Sequence, residues 1–259
     1  MSDKEILEGG RMGKIIREGD KIIRPANEWT EEVHKFLSFL KENGLENIPT
    51  PLGIADGVET VSFVEGTVCN DGLTDELRTD EVLVEVAKLL RKFHDLSEQY
   101  VKTLTGKETW MLQKQLPVQI LCHGDFAPYN ITFVDGHPSG IIDFDTVHPG
   151  PRVWDIAYAV YRWVPFVAPS NPDCKDNMNE QLRKMKLFAD AYDMNAADRN
   201  QLGYMMISRL EALVKYMNEQ AAKGNEDVKK NIEAGHLDIY KADIQFLGES
   251  QMKILKGIS

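Results

Sequence analysis

The stretch of sequence that decides the fold is Leu121-Cys122-His123-Gly124-Asp125-Phe126-Ala127-Pro128-Tyr129-Asn130. It runs into the apolar segment Ile131–Val134, and a second apolar segment ends in Ile141-Ile142-Asp143-Phe144-Asp145. Residues 135–140 between them are Asp, Gly, His, Pro, Ser and Gly, a segment rich in residues that favour a turn. Two apolar segments joined by such residues predict a β-hairpin.

The predicted hairpin brings three oxygen-bearing side chains to its open end. A midpoint between residues 136 and 137 places Asn130 roughly opposite Asp143, and Asp125 lies five residues before Asn130. A carboxylate and an amide oxygen are what Mg²⁺ takes from a protein when phosphates and water supply its other ligands. A further Asp can orient an attacking hydroxyl group and accept its proton. Asp and Asn also form turns, but this spacing and register together favour a functional site.

Composition and charge limit the classes of protein to which this chain can belong. The chain has 259 residues, of which 42% are hydrophobic and 27% charged, so a folded protein is expected. Its 41 acidic residues exceed its 30 basic ones, which gives a net charge of −11 and argues against a nucleic-acid partner.

No targeting or membrane segment is predicted. Met1–Gly10 has no apolar core of the kind that a signal peptide needs, and the apolar stretch Val153–Ala168 is interrupted by charges and too short to cross a bilayer. The cysteines are odd in number and widely spaced, which fits neither a disulfide framework nor a zinc site: Cys69, Cys122 and Cys174. We therefore expect reduced thiols in a cytoplasmic protein without a membrane partner.

The pattern of the chain changes near Gly66. Before it come short β-rich runs, one helix from about Thr30 and two further strands over residues 50–64. After it the pattern is mainly helical, beginning with an amphipathic segment over residues 80–100. This predicts an α+β protein with a small β-rich lobe, residues 1–66, and a larger helical lobe, residues 67–259.

His123-Gly-Asp125-Phe-x-x-x-Asn130 with Ile142-Asp143-Phe-Asp145 resembles the motifs of the aminoglycoside phosphotransferase and choline kinase family. Similarity continues through Pro149-Gly150-Pro151-Arg152-Val153-Trp154-Asp155-Ile156-Ala157, and beyond residues 121–157 it rests on the order of elements. The resemblance implies a bilobal protein-kinase-like fold that transfers the γ-phosphoryl group of ATP or GTP to a small-molecule hydroxyl. It implies Asp125 as the catalytic residue and Asn130 and Asp143 as Mg²⁺ ligands.

Further roles follow from the same resemblance. His123 packs the loop, Asp155 supports it, and Asp145 either reaches the metal region or caps its strand. Residues 62–66 match the family's hinge, where the backbone of Ser62, Phe63 and Val64 holds the purine. The acceptor is a small molecule such as an aminoglycoside, amino alcohol or sugar. The excess of acidic over basic residues is compatible with a cationic acceptor. The sequence does not indicate the oligomeric state.

The glycines of Gly9-Gly10-Arg11-Met12-Gly13 could bring backbone N–H groups close to phosphates. An ordinary hairpin turn would look the same, but the motifs of the second lobe favour the phosphate role for Gly9, Gly10 and Gly13.

Arg24 is a departure from the family. Most relatives carry a lysine near the end of the third strand, where it holds phosphates and pairs with a helix glutamate. Here the strand Lys21-Ile22-Ile23-Arg24-Pro25 offers an arginine, and Glu31 and Glu32 begin the next helix. We expect Arg24 to contact nucleotide phosphates or Glu32. Acidic residues in a first helical turn are also favoured by the helix dipole alone.

Two alternative functions remain. Asp143-Phe-Asp145-Thr-Val147 resembles the nucleophile motif of haloacid-dehalogenase-like phosphatases, with Asp143 as nucleophile and Asp145 as acid. That class carries the motif on its first strand, whereas 142 residues precede it here, which disfavours this reading. The second alternative is a non-catalytic, kinase-like resistance or immunity module that acts by sequestration.

Overall fold

The computed structural model describes residues 4–7, 15–70 and 72–258. These residues form two compact units, one comprising the described residues up to Leu77 together with Leu89–Pro151, the other Arg78–Lys88 with the residues from Arg152 onward. Gly66 lies inside the first unit. The predicted lobes, residues 1–66 and 67–259, therefore do not coincide with the compact units and remain a prediction.

The first unit begins with a five-stranded antiparallel sheet in the order β1-β2-β3-β5-β4. Its strands are β1 (Lys4–Leu7), β2 (Ile15–Glu18), β3 (Lys21–Pro25), β4 (Pro51–Ala55) and β5 (Val58–Ser62). The turn between β4 and β5 is Asp56-Gly57, with φ of 51° and 73°. Two successive positive φ angles are those of a type I′ turn, whose twist matches that of the strands.

Helix α1 (Thr30–Glu42) connects β3 to β4 and supplies the core beside the sheet. Its apolar residues recur at helical spacing, and all four are buried: Val33, Phe36, Leu37 and Leu40. The helix predicted from about Thr30 is confirmed. Phe36 packs edge-on against Phe93 of helix α2 (Asp80–Val101), with ring centroids 5.9 Å apart.

Two small β-pairs complete the first unit. Strand β6 (Ile120–Cys122) pairs with β9 (His148–Gly150), and β7 (Ile131–Val134) pairs with β8 (His137–Ile141), all antiparallel. The predicted hairpin is confirmed, but its turn is the two-residue type I′ turn Asp135-Gly136. A register shift between Thr132 and Phe133 then sets Ile131 opposite Ile141.

Helices dominate the second unit. They are α3 (Arg152–Trp163), α4 (Met178–Tyr192), α5 (Ala196–Ala222), α6 (Glu226–Glu233) and α7 (His236–Ile258), and the first part of α2 also belongs here. Asp243 of α7 is fully buried and accepts hydrogen bonds from the Tyr161 hydroxyl, the Ala168 amide and the Asn171 side chain. This carboxylate ties α7 to α3 and to the segment after it. Across the described ranges, no helix is both long enough and apolar enough to cross a membrane.

Candidate active site

The loop between β6 and β7 is held by His123, whose ring is fully buried. Its Nε2 donates to the carbonyl of Ile142 at 3.0 Å, and its Nδ1 lies 3.4 Å from the Asp125 amide. The ring is surrounded edge-on by three phenylalanines: Phe93, Phe126 and Phe144. The contacts are those of a residue that fixes the loop to the segment after β8.

Gly124 is the point of closest approach in this loop. Its φ is +81°, and a Cβ at this position would lie 2.5 Å from the carbonyl oxygen of Thr146. Thr146 is itself fixed, because its hydroxyl donates to the His123 carbonyl and its own carbonyl hydrogen-bonds to Nδ1 of His148. Only glycine meets both the conformation and the space.

Asp125 follows, and only 3% of the residue is exposed. The Tyr129 hydroxyl donates to its Oδ1 at 2.6 Å, and the Asn130 side-chain amide donates to its backbone carbonyl at 2.9 Å. Tyr129 is a site residue that the sequence reasoning missed. The sequence around a loop tyrosine contains no pattern that distinguishes an active-site role from ordinary packing.

Asn130 and Asp143 lie at adjacent register positions at the open end of the β7–β8 hairpin. The Ile142 amide donates to the Asn130 carbonyl at 2.9 Å, so Asn130 opposes Ile142 and not Asp143. The expected register was wrong by one residue. The turn at Asp135-Gly136 is centred one residue earlier than expected, which alone would set Asn130 opposite Ile141, and the irregularity between Thr132 and Phe133 shifts the pairing back by one position. Asp143 has left-handed backbone angles, φ 60° and ψ 66°, and 38% of its side chain is exposed.

Arg24 does not pair with Glu32, which was one of the two contacts expected of it, and its contact with nucleotide phosphates stays a prediction. Glu32 instead accepts from Lys35, one turn further along α1, at 2.8 Å. Arg24 donates from Nε to Glu59 at 2.6 Å and from Nη1 and Nη2 to Asp145 at 2.8 and 3.2 Å. Nη1 also lies 3.5 Å from Asp143. The strand ladder explains this choice, because Arg24 and Glu59 are direct partners on β3 and β5.

Asp145 is therefore neither a strand cap nor an isolated carboxylate. It receives two hydrogen bonds from Arg24 and a third, at 3.3 Å, from the Trp29 indole. Burial raises the pKa of Asp145 to about 6, and the charges of Asp143 and Glu59 act in the same direction, although Arg24 opposes them. The pKa of Arg24 is raised, because the attraction of these carboxylates outweighs the effect of its burial.

The predicted hinge residues differ in how their backbone amides are used. The Ser62 amide donates to the Thr50 carbonyl at 2.9 Å, and the Phe63 amide donates to the Asp20 carbonyl at 2.7 Å. Among the described residues, no partner accepts from the Val64 amide. The Phe63 ring is covered by the Arg17 guanidinium, 3.6 Å from its centroid.

The roles of two further sets of predicted residues stay predictions. Gly9, Gly10 and Gly13 fall outside the described residues. Asp155 is fully buried in α3, in the second compact unit. The structure thus brings together Asp125, Asn130 and Asp143 at one end of a hairpin, and Arg24, Asp145 and Asp143 in one ion-pair cluster.

Comparison with known proteins identifies relatives of this region and of the fold. Residues 102–181 match the model of the family described as "Phosphotransferase enzyme family". The trifolitoxin immunity protein of Rhizobium leguminosarum bv. trifolii is 28% identical over 169 residues, which are 63% of this chain and 62% of that protein's length. The chain thus matches less than two thirds of this curated relative.

Solved structures show the fold. A choline/ethanolamine kinase family protein from Mesorhizobium loti has a TM-score of 0.64 at 17% identity, over 99% of this chain and 92% of its own. An amicoumacin kinase in complex with AMP-PNP, Ca²⁺ and Ami has a TM-score of 0.62 at 13% identity, over 90% of this chain and 88% of its own. The predicted protein-kinase-like α+β fold and the resemblance to this phosphotransferase family are confirmed.

Proposed function

We propose that this protein, whose residues 102–181 match the phosphotransferase family, is a nucleotide-dependent kinase of a small molecule. It transfers the γ-phosphoryl group of ATP or GTP to a hydroxyl group of the acceptor. One observation carries the proposal. The Asn130 side chain binds the backbone of Asp125, while the Asn130 carbonyl binds the residue before Asp143. These two hydrogen bonds join Asn130 to Asp125 and to the neighbour of Asp143, the three residues to which we assign phosphoryl transfer.

The donor set at the hairpin end suits a divalent cation. The Asn130 amide nitrogen is committed to Asp125, which leaves its side-chain oxygen as the ligand atom, and the Asp143 carboxylate is partly exposed. An amide oxygen and a carboxylate are hard ligands of the kind that Mg²⁺ takes. Asn130 and Asp143 would hold the ion, whose charge would offset that of the nucleotide phosphates. The amicoumacin kinase complex with AMP-PNP and Ca²⁺ supports a nucleotide and a divalent cation here.

Asp125 would orient the acceptor hydroxyl and accept its proton. Its carboxylate is held on one side by the Tyr129 hydroxyl and its backbone by Asn130, so its position is fixed before any substrate arrives. Positioning of this kind contributes much of the rate in phosphoryl transfer, since little covalent chemistry is left to the protein. His123 and Asp155 would act as support, the first through its hydrogen bond to Ile142.

Nucleotide binding is assigned to the amino-terminal part of the chain. Arg24 would meet the phosphates, together with the backbone of Gly9, Gly10 and Gly13. Val64 is the best candidate for binding the purine through its amide, because Ser62 and Phe63 already donate theirs to Thr50 and Asp20. The lobes 1–66 and 67–259, with a hinge at residues 62–66, are part of the same proposal.

For the acceptor we propose an amino alcohol, an aminoglycoside-like antibiotic or a sugar. The solved structures with this fold include proteins named for choline, ethanolamine and amicoumacin. The net charge of −11 is compatible with a cationic acceptor in a cytoplasmic protein.

A nucleotide-consumption screen tests the proposal. Purified protein with Mg²⁺ and either ATP or GTP is mixed with panels of amino alcohols, aminoglycosides, macrolides and sugars. We expect acceptor-dependent loss of nucleotide and a phosphorylated product by mass spectrometry. Asp125→Asn, which keeps the shape and removes the proton acceptor, should bind nucleotide normally but turn over at least about 100-fold more slowly. Equal turnover in that variant would remove Asp125 from the mechanism.

The similarity to the trifolitoxin immunity protein favours a second candidate function. In this alternative the protein protects a cell by binding a toxin, without phosphoryl transfer. Expression in bacteria that are sensitive to the toxin distinguishes the two candidate functions. A kinase loses protection in the Asp125→Asn variant, whereas a sequestering protein keeps it.

A further inference from the structure

Glu59 is a buried carboxylate to which the sequence pattern assigned no role. It lies on β5, with 1% of the residue exposed, and both of its oxygens are engaged. Oε2 accepts from Nε of Arg24 at 2.6 Å, and Oε1 lies 2.8 Å from Nε2 of His34 on α1. Burial alone would raise the pKa of Glu59, but the hydrogen bond from His34 and the charge of Arg24 lower it below its usual value. Glu59 is thus an ionised group fixed by two elements.

The guanidinium of Arg24 has two edges, and each one faces a different partner. The Nε edge is bound by Glu59, and the terminal nitrogens face Asp145 and Asp143. A guanidinium is planar and its donors are held in a rigid fork. A hydrogen bond at Nε therefore also sets the direction in which the terminal nitrogens point. Only 16% of the Arg24 side chain is exposed, which further restricts its movement.

An ordinary cross-strand ion pair elsewhere in the same sheet provides a comparison. Lys4 and Glu18 are direct partners on β1 and β2, with 3.5 Å between their charged atoms. Their side chains are 64% and 28% exposed, so solvent screens this pair. Glu59 differs from Glu18 because it is buried and because the other edge of its cation faces the candidate metal ligand Asp143.

We infer that Glu59 is a positioning residue for Arg24. It holds the guanidinium by the Nε edge, so that the terminal nitrogens are presented to nucleotide phosphates at the Asp143–Asp145 end of the site. A β-strand carboxylate thus takes the task that the resemblance gives to a helix glutamate. The inference rests on the proposed function, because it requires that a nucleotide is bound there.

A double-mutant cycle tests this inference. The affinity for Mg²⁺-ATP, and in parallel Mg²⁺-GTP, is measured by isothermal titration calorimetry for wild type, Arg24→Ala, Glu59→Ala and the double variant. We expect Glu59→Ala to weaken binding about tenfold when Arg24 is present, as for the loss of a hydrogen bond between charged groups. In the Arg24→Ala background, Glu59→Ala should change the nucleotide affinity by less than about twofold, because Glu59 then has no guanidinium to position. If the two side chains acted independently, their effects on the free energy of binding would add.

The matched control is Glu18→Ala, which removes a cross-strand carboxylate of the same sheet and should leave nucleotide affinity unchanged. If thermal unfolding shows that Glu59→Ala does not fold, Glu59→Asp takes its place, because it keeps the charge and withdraws the oxygen from Nε. An equal effect of the Glu59 change with and without Arg24 would mean a purely structural role and would overturn the inference. Affinity lost in Arg24→Ala but not in the Glu59 variants would overturn it too. Absence of nucleotide binding in the wild type would instead overturn the proposed function, and this inference with it.

Discussion

A methyl group added at Gly124 should destabilise the protein by an amount that the structure allows us to calculate. The left-handed φ of +81° costs a non-glycine residue about 1–2 kcal/mol. The new Cβ would also lie 2.5 Å from the Thr146 carbonyl oxygen, so one of the two segments must move. That movement disturbs the hydrogen bonds that Thr146 makes to His123 and His148, each worth about 1 kcal/mol. We therefore expect Gly124→Ala to lower the free energy of unfolding by about 2–4 kcal/mol.

The control is Gly136→Ala. Gly136 has nearly the same φ, +82°, but a Cβ there meets nothing within 4 Å. Gly136→Ala should therefore lower the free energy of unfolding only by the cost of the left-handed backbone conformation, about 1–2 kcal/mol. Urea unfolding followed by circular dichroism gives both values, and the difference between the variants isolates the close approach to Thr146. If the two variants lose the same stability, the loop does not require glycine for reasons of space, and the description of the Gly124 contact is wrong.

Three further predictions concern the site. Asn130→Ala and Asp143→Ala should each weaken the Mg²⁺-dependent part of nucleotide binding, with Asp143→Ala the worse because a charge is lost; an unchanged Mg²⁺ response by calorimetry in both would refute their assignment as ligands. Tyr129→Phe should lower turnover by about tenfold with nucleotide affinity unchanged, since it removes one hydrogen bond to Asp125; wild-type turnover would show that the hydroxyl is dispensable. Because the pKa of Asp145 is raised to about 6, the folded state binds its proton more tightly than the unfolded state, so its contribution to stability falls as pH rises from about 4 to 6. The stability of Asp145→Asn should not show this fall. If urea titrations gave parallel pH profiles of stability for Asp145→Asn and the wild type, this prediction would be wrong.

The hairpin that carries the candidate site could be predicted from the sequence, whereas its register could not. Apolar runs around a breaker-rich segment sufficed to predict the β7–β8 hairpin, because turn residues and alternation act over a few positions. The turn at Asp135-Gly136 alone would set Asn130 opposite Ile141, and the irregularity between Thr132 and Phe133 moves it to Ile142, one position short of Asp143. A bulge depends on packing against the rest of the protein, and neither residue signals it.

The partner of Arg24 illustrates the same limit over a longer distance. Glu32 is close in sequence, and proximity favoured it, whereas Glu59 is 35 residues away. Choosing Glu59 requires knowing that β3 pairs with β5 rather than with β4, and which residues then oppose one another. No feature of Glu59 itself distinguishes it from any other strand carboxylate.

The ion-pair cluster has a charge imbalance with consequences for the order of binding. Three carboxylates, Glu59, Asp143 and Asp145, surround the single guanidinium of Arg24, so with His34 neutral the group carries two excess negative charges. A polyphosphate without a bound cation is repelled by the carboxylates of this cluster, because their charge exceeds what Arg24 can offset. A divalent cation is attracted, because its charge matches the two excess negative charges. A nucleotide should therefore arrive already complexed with its cation. High ionic strength, by screening the excess charge, should make the site less selective between the free and the complexed forms.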